Sequence, residues 1–148
     1  MRIELPWPDK TLSPNARTHH QIKAKVTKRA RVEGSLLAHG YRDTLTDKDI
    51  IETIRTFYPP DRRKRDLDNM GAMCKAYQDG IFDALGVNDS NVKQSSNLIG
   101  KSEQGGRVVM EIEVIGTREC DCDKPEVYFE IGELVCGGCH VVIGEKDE

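Results

Sequence analysis

Residues 49–59 read DIIETIRTFYP, and the fold turns on that run. Ile50, Glu52, Ile54, Thr56 and Tyr58 alternate with Ile51, Thr53, Arg55 and Phe57. Side chains of a strand point to opposite faces in turn, and here both faces carry apolar groups. The pattern therefore predicts a central strand, ended by Pro59 and Pro60. Beyond the prolines the character of the chain changes abruptly. In FYPPDRRKRDLDNM, residues 57–70, four consecutive cations run into two carboxylates, Asp66 and Asp68, separated only by Leu67.

Working outward, RIEL (2–5) reads as a short strand, and PWPDKTLSPNA (6–16) is a proline-stiffened loop. A helix is expected from Arg17 to about Arg42, with Ile22, Val26, Ala30 and Leu37 as its apolar positions. Gly34 weakens it and Gly40 ends it. A second helix is expected from Leu67 to Leu85, with Met70, Met73, Tyr77, Ile81 and Leu85 as its stripe. GVNDSN (86–91) is a turn. NVKQSSNLIG (91–100) and RVVMEIEVIG (107–116) are expected strands, joined as a hairpin through KSEQGG. The expected class is α+β (α/β-like), a small mixed β-sheet packed with two helices. After Gly116 the chain becomes acidic and cysteine-rich, so the expected organisation is 1–116 as one domain and 117–148 as a small module.

The chain has 148 residues, 37% hydrophobic and 32% charged, and no run approaches the roughly 18 apolar residues of a membrane helix. The start, MRIELPWPDK, has no signal-peptide core, so a cytoplasmic protein with reduced cysteines and no membrane partner is expected. The net charge of −3 hides an asymmetry. Residues 1–65 hold 15 Lys/Arg against 8 Asp/Glu, and residues 66–148 hold 7 against 17. A basic front half grips polyanions through its local field, whatever the total.

Asp66 and Asp68 have oxygen ligands of the kind Mg²⁺ takes, one or two carboxylates completed by water and phosphate oxygens. Lys75 lies seven residues after Asp68 and four before Asp79, on one helical face, and Asp89 sits in the next turn. Metal-assisted phosphodiester hydrolysis uses each part: carboxylates for the ion, a lysine for the phosphate or leaving oxygen, and Arg62, Arg63, Lys64 and Arg65 for neighbouring phosphates. Plainer roles stand beside these. Asp68 reads equally as a helix N-cap, Asp66 as a partner of Arg65 or Arg62, and Lys75–Asp79 as a surface i,i+4 pair.

The segments LPWPDKTLSPNARTHH, PPDRRKRDLDN and KAYQDGIFDALGVNDSNV, in that order over residues 1–116, resemble the RusA family of Holliday junction resolvases, phage and prophage endonucleases. The resemblance implies a homodimer, encoded by a phage or prophage and working in the bacterial host. It would use Mg²⁺ (with Mn²⁺ as an alternative ion) to nick two opposing strands of a four-way DNA junction in recombination and repair. It implies Asp66, Asp68 and Asp89 as catalytic, metal-coordinating carboxylates and Lys75 as the catalytic lysine. Arg17, His20 and Lys23 in ARTHHQIKAK would fit junction contacts. The family's turn often carries two adjacent acids, whereas this one reads Asn88-Asp89. The rival readings are a non-catalytic DNA-binding accessory protein, a zinc-ribbon adaptor that works through protein contact with the front half as scaffold, and a nuclease of broader branched-DNA preference.

Beyond the resemblance, Cys120-x-Cys122 and Cys136-x-x-Cys139 are two close thiol pairs with the donor set of a tetrahedral structural Zn²⁺ site, a zinc-ribbon-like arrangement. A module this small has little core of its own, and a metal supplies the missing folding energy. A disulfide pair or unliganded thiols are the alternatives. Cys74, on the second helix, reads as a small buried hydrophobe.

Overall fold

The computed structural model describes residues 1–118, 127–130, 133–137 and 142–145. The strands are β1 (Arg2–Pro6), β2 (Asp49–Tyr58), β3 (Val92–Ile99), β4 (Arg107–Thr117), β5 (Val127–Glu130), β6 (Glu133–Cys136) and β7 (Val142–Glu145). The helices are α1 (His20–Leu37), α2 (Leu67–Met73) and α3 (Lys75–Leu85), with 3₁₀ turns at Lys10–Leu12, His39–Tyr41 and Asp89–Asn91. Among the described residues no helix is long and apolar enough to cross a membrane.

β2 is central, as its two-sided apolar pattern requires. The four-stranded sheet runs β1-β4-β2-β3. β4 is antiparallel to β2, from Asp49↔Thr117 to Tyr58↔Arg107, and antiparallel to β1. β3 is parallel to β2, from Ile51↔Val92 to Phe57↔Ile99. The expected β3–β4 hairpin is therefore wrong. β2 lies between the two strands, and residues 100–106 carry the chain across its end. The reason is local: β2 is followed by helices, and a strand–helix–strand unit returns parallel beside its first strand. The sheet is mixed and the class is α+β, as expected.

All three helices lie on one face of the sheet. That face carries Ile3, Leu5, Ile51, Phe57, Val108, Met110 and Ile112, all buried in one core with Met70, Tyr77, Ile81, Phe82 and Leu85 from the helices. The stripe expected for the second helix is correct, but the helix breaks at Cys74, whose N–H turns to the Gly71 carbonyl at 3.1 Å. Gly86, at φ 84°, ends α3 with its N–H on the Phe82 carbonyl. The stripe expected for α1 needs correction. Ile22 and Leu37 are 53% and 43% exposed. Val26 and Ala30 do face inward as expected, and the face continues through Gly34 and Ala38, spaced four apart.

That inward face is made of small residues because α1 and α3 nearly touch. A Cβ added to Gly34 would stand 2.2 Å from the Tyr77 carbonyl oxygen, and one added to Gly80 would stand 1.8 Å from that of Arg31. Gly34 costs helix propensity and in return permits the crossing. The tail strands form a separate antiparallel sheet, β5-β6-β7. Its Val127, Leu134 and Cys136 join Ile50 in a second small cluster, with Ile115 packed against it.

Gly80→Ala forces two backbones apart, and overpacking of this kind costs about 1–3 kcal/mol. Urea unfolding should show that loss, while Gly40→Ala, with open space around it, stays neutral or gains slightly. Equal midpoints for Gly80→Ala and the wild type would refute the close crossing. Burial pushes the Cys74 thiol up to about 12, so at pH 8 almost none is thiolate. Mass spectrometry after iodoacetamide treatment should find Cys74 unlabelled in the native chain and labelled in denaturant; ready native labelling contradicts its burial.

Candidate functional site

The link after β2 and the helix it leads into carry most of the expected site residues. Arg62, Arg63 and Lys64 are exposed. Arg65 behaves differently. Its Nη1 donates to the carbonyls of Asp61 (3.1 Å) and Arg63 (3.0 Å), its Nη2 pairs with Asp61 Oδ1 at 2.9 Å, and its guanidinium lies 5.3 Å from the centre of the Trp7 ring. Arg65 thus folds the link and presents its three cationic neighbours. The hydrogen bond from the Arg63 N–H, joined by the Arg65 hydrogen bond and the charges of both arginines, outweighs desolvation and holds the Asp61 carboxyl below its usual range.

Asp66, rather than Asp68, is the N-cap of α2. Its Oδ1 accepts the N–H of Asp68 at 2.8 Å and of Asn69 at 3.2 Å. Asp68 occupies the first turn and is exposed. The side chain of Asn69 takes a 3.4 Å hydrogen bond from Asn15, which ties the loop before α1 to the head of α2. From the first turn of α1, Lys23 Nζ donates to the Ser13 carbonyl of that loop at 3.3 Å, so it acts as a brace. Arg17 and His20 are exposed. The His19 ring lies 4.4 Å from that of His20, and its Nδ1 caps α1 on the Gln21 N–H.

Lys75 opens α3. Its Nζ sits 2.8 Å from Asp79 Oδ1 and 2.6 Å from Asp89 Oδ2. Burial works to lower its pKa, but hydrogen bonds and charge from Asp79 and Asp89 outweigh that, and the net shift is upward. Lys75 is therefore an ammonium at neutral pH. Asn91 fixes the turn that carries Asp89. It is 5% exposed, donates Nδ2 to the carbonyls of Thr46, Asp47 and Asp49, and accepts the Asn88 N–H. Lys75, Asp79, Asn88 and Asp89 line a cavity of about 280 Å³ with Arg31 of α1 and Asp83 of α3. Arg31 grips Asp83 through two bonds, 2.7 and 3.0 Å.

The structure thus brings Lys75, Asp79 and Asp89 together. It does not assemble the expected triad of Asp66, Asp68 and Asp89. Among the described residues no group of three or more His, Cys, Asp or Glu side chains is disposed to hold a metal ion. The physical reasons are visible: the helix cap holds Asp66 Oδ1, and the Lys75 ammonium holds Asp89. In the tail Cys136 is buried in β6, whereas Cys120, Cys122 and Cys139, expected as its companions on Zn²⁺, lie outside the described residues.

Sequence reasoning missed Arg31, Asn69, Asn91 and Arg55. Arg55 is inward-facing on β2. Its Nη1 donates to Gln78 Oε1 at 3.1 Å and its Nη2 to Ser95 Oγ at 2.8 Å. Burial lowers its pKa, though a guanidinium stays charged. Its Nε and the Asn97 Oδ1, on facing positions of β2 and β3, are buried without a hydrogen-bond partner among the described residues. The one signal for Arg55 was a cation on the face of β2 that also carries Ile51 and Phe57.

Charge is laid out in two layers. α1 and the link show Lys25, Lys28, Arg29, Arg62, Arg63 and Lys64 to solvent. The face of the sheet away from the helices carries Glu4, Glu52, Glu111 and Glu113, which alternate with the buried residues.

No family model matches the chain. A curated relative from Xylella fastidiosa (strain Temecula1), titled "Uncharacterized protein", is 38% identical over 113 residues, covering 74% of each chain. The chain belongs to the same family as that Xylella protein. The relationship adds no activity to the geometry.

Lys75 is about half exposed, and exposed ion pairs contribute from near zero to about 1 kcal/mol. Lys75→Gln should therefore unfold within about 1 kcal/mol of the wild type. Because the folded pKa of Lys75 is raised, its contribution is fully present below the ordinary lysine pKa and is lost only as pH climbs through the folded value. Wild type and variant should accordingly differ by a constant amount between pH 7 and 9 in urea titrations. A difference that vanishes within that window contradicts the pairing.

Proposed function

We propose that the chain is an Mg²⁺-dependent, structure-specific endodeoxyribonuclease that resolves four-way DNA junctions. The observation that carries the reading is the Lys75 ammonium between Asp79 and Asp89, on a helical run headed by Asp66 and Asp68 and preceded by exposed cations. The motif order that resembles the RusA resolvases supports it. By that resemblance the protein is a phage- or prophage-encoded homodimer of the host cytoplasm, acting in recombination and repair. Residues 1–116 form its nuclease domain, and 117–148 a module with structural Zn²⁺ on Cys120, Cys122, Cys136 and Cys139.

The donor chemistry fits Mg²⁺. Asp66 keeps Oδ2 outside its cap bonds, Asp68 is exposed, and two carboxylates with water and phosphate oxygens make a usual Mg²⁺ shell. Asp66 and Asp68 would hold the ion, with Asp89 as third ligand in place of its present tie to Lys75. Bound there, Mg²⁺ supplies charge neutralisation and Lewis-acid polarisation of the phosphate. The rest is the work of the chain. Arg62, Arg63 and Lys64 hold flanking phosphates, with an affinity that falls as salt rises. Arg17 and His20 reach the DNA from the loop before α1 and from its first residue. Lys75, protonated at neutral pH, stabilises charge on the phosphoryl oxygens or gives its proton to the leaving oxygen, and it is unsuited to be the base. A homodimer places two such sites about one two-fold axis, matching the near-two-fold symmetry of a junction and allowing paired nicks.

One observation favours a second reading. The three carboxylates are not disposed around one point, which suits a non-catalytic DNA-binding protein in which Asp66 is a cap and Asp89 an ion-pair partner. The deciding experiment is cleavage of a synthetic four-way junction in Mg²⁺ and in Mn²⁺, wild type beside Asp68→Asn. Paired symmetric nicks by the wild type, roughly 100-fold or more slower in the variant with junction binding retained, are expected. Tight binding without cleavage in either ion gives the accessory reading. Equal cutting of flaps and forks broadens the substrate class to branched DNA.

A further inference from the structure

Arg55 lies under the break between α2 and α3. The break is at Cys74, whose N–H turns back to the Gly71 carbonyl. Arg55 Nη1 holds Gln78 Oε1 at 3.1 Å, and the Gln78 N–H in turn holds the Cys74 carbonyl at 3.0 Å. Burial pushes the Cys74 thiol up and the Arg55 charge works against that, so the guanidinium is within electrostatic reach of the break. Asn97 stands opposite Arg55 on β3. It packs on α2: a Cβ added to Gly71 would stand 2.7 Å from Asn97 Nδ2. Gly71 is three residues before Cys74 and Gln78 four after it. One cross-strand pair therefore reaches the last turn of α2 and the first turn of α3.

As core, this pair is costly. Among the described residues no carboxylate acts on the Arg55 charge. Its Nε and the Asn97 Oδ1 are buried without a hydrogen-bond partner. Apolar residues here, of the kind β2 carries at Ile51 and Phe57, would leave no such groups, and exchanging buried charge for well-packed apolar groups is often neutral or stabilising. What apolar residues lack is direction. A guanidinium fork fixes its partners at set angles, here Gln78 on α3 and Ser95 on β3.

We infer that Arg55 is a positioning residue for the proposed reaction: with Asn97 it fixes the angle at the α2–α3 break, and so the place of Lys75 relative to Asp66 and Asp68. In one unbroken helix Lys75 would stand about two turns after Asp68 on the same face. The break frees that relation, and contacts with both helices set it again. Asp68 is in the first turn of α2 and Lys75 is the first residue of α3, so a change of angle at Cys74 moves the ammonium against the carboxylates. Arg55 bonds Gln78 and Ser95 rather than Lys75, so it acts through α3. The inference rests on the nuclease reading given above.

The test compares the wild type with Arg55→Met, Arg55→Lys, Gln78→Met and Thr53→Val, all as full-length chains. Thr53→Val removes a bond of the same seam, 3.0 Å to Ser95 Oγ, but Thr53 makes no side-chain hydrogen bond to a helix. Two readouts are taken: kcat and KM for four-way junction cleavage in Mg²⁺, and amide exchange by NMR at Cys74 and Gln78, whose N–H groups bond on either side of the break. Arg55→Met is expected to lower kcat roughly tenfold or more, with KM within about twofold of the wild type. It should also speed exchange at both amides roughly tenfold or more. Gln78→Met should do the same from the α3 side, and it carries the test where Arg55→Met does not fold. Arg55→Lys, which keeps the charge but not the fork, should fall between. Thr53→Val should match the wild type in both readouts, which separates positioning from a general loosening of the core. Wild-type kcat and exchange in Arg55→Met and Gln78→Met overturn the inference, and so do equal losses in Thr53→Val. A wild type that cuts no junction sinks the nuclease reading alone, and unchanged exchange in the variants then overturns the hold on the break.

Discussion

The near-contact of α1 and α3 at Gly34 and Gly80 is the constraint on which the rest of the structure depends. Two helix backbones approach this closely only where side chains are absent, and each glycine here faces the other helix's backbone. The gain is dispersion between closely packed main chains and a thin, dense helical layer over the sheet. The position of α1 relative to α3 follows from it. Arg31, one turn before Gly34, is set against Asp83, and Glu33 comes within reach of the Tyr77 hydroxyl. The cavity beside Lys75 has one wall from α1 and another from α3, so its shape is also a consequence of the crossing. Burial, helped by the nearby Glu33 carboxylate, pushes the Tyr77 hydroxyl up to about 12, and it stays neutral in the packed layer.

The sheet contributes a different kind of order. β2 takes neighbours on both sides, and its inward residues change from Ile51 and Phe57 at the ends to Thr53 and Arg55 in the middle. Thr53 and Arg55 both bond to Ser95 on β3, and Arg55 also reaches Gln78 of α3. A polar seam therefore runs under one edge of the helices, while the β4 side presents Val108, Met110 and Ile112. Positive charge is concentrated on α1 and the link before α2, whereas the open face of the sheet sets Glu4, Glu52, Glu111 and Glu113 against Arg2 and Arg107, which both pair with Glu4. A polyanion is drawn towards the first layer and repelled by the second.

Much of this was readable along the chain. The two-sided apolar pattern of β2 fixed its central place, and the stripe Met70, Met73, Tyr77, Ile81 and Leu85 marked the buried side of the second helical run. The turn at 86–91 was signalled by Gly86 and its polar followers. The errors share one cause. Pairing β3 with β4 rested on their closeness in sequence, while a strand already flanked by helices takes its parallel neighbour first. Ile22 and Leu37 were given to the core of α1 because they are large and apolar. The true inward face is built of small residues, selected by a neighbour that a single helix does not reveal. The cap fell on Asp66, two residues earlier than Asp68, because helix starts depend on where the preceding link releases the chain.

The sequence by itself determined the order and kind of the main elements, the basic link before α2, and the candidacy of Lys75, Asp66, Asp68 and Asp89. Periodicity, proline stops and charge runs are local properties, and they act within a few residues. Only the tertiary structure decided which carboxylates meet Lys75, that Arg65 and Lys23 brace loops while their neighbours face solvent, and that Gly34 is required where propensity alone counts it a defect. Those outcomes depend on distances between segments far apart in the chain, set by how closely α1 can approach α3, and no local pattern encodes such a distance.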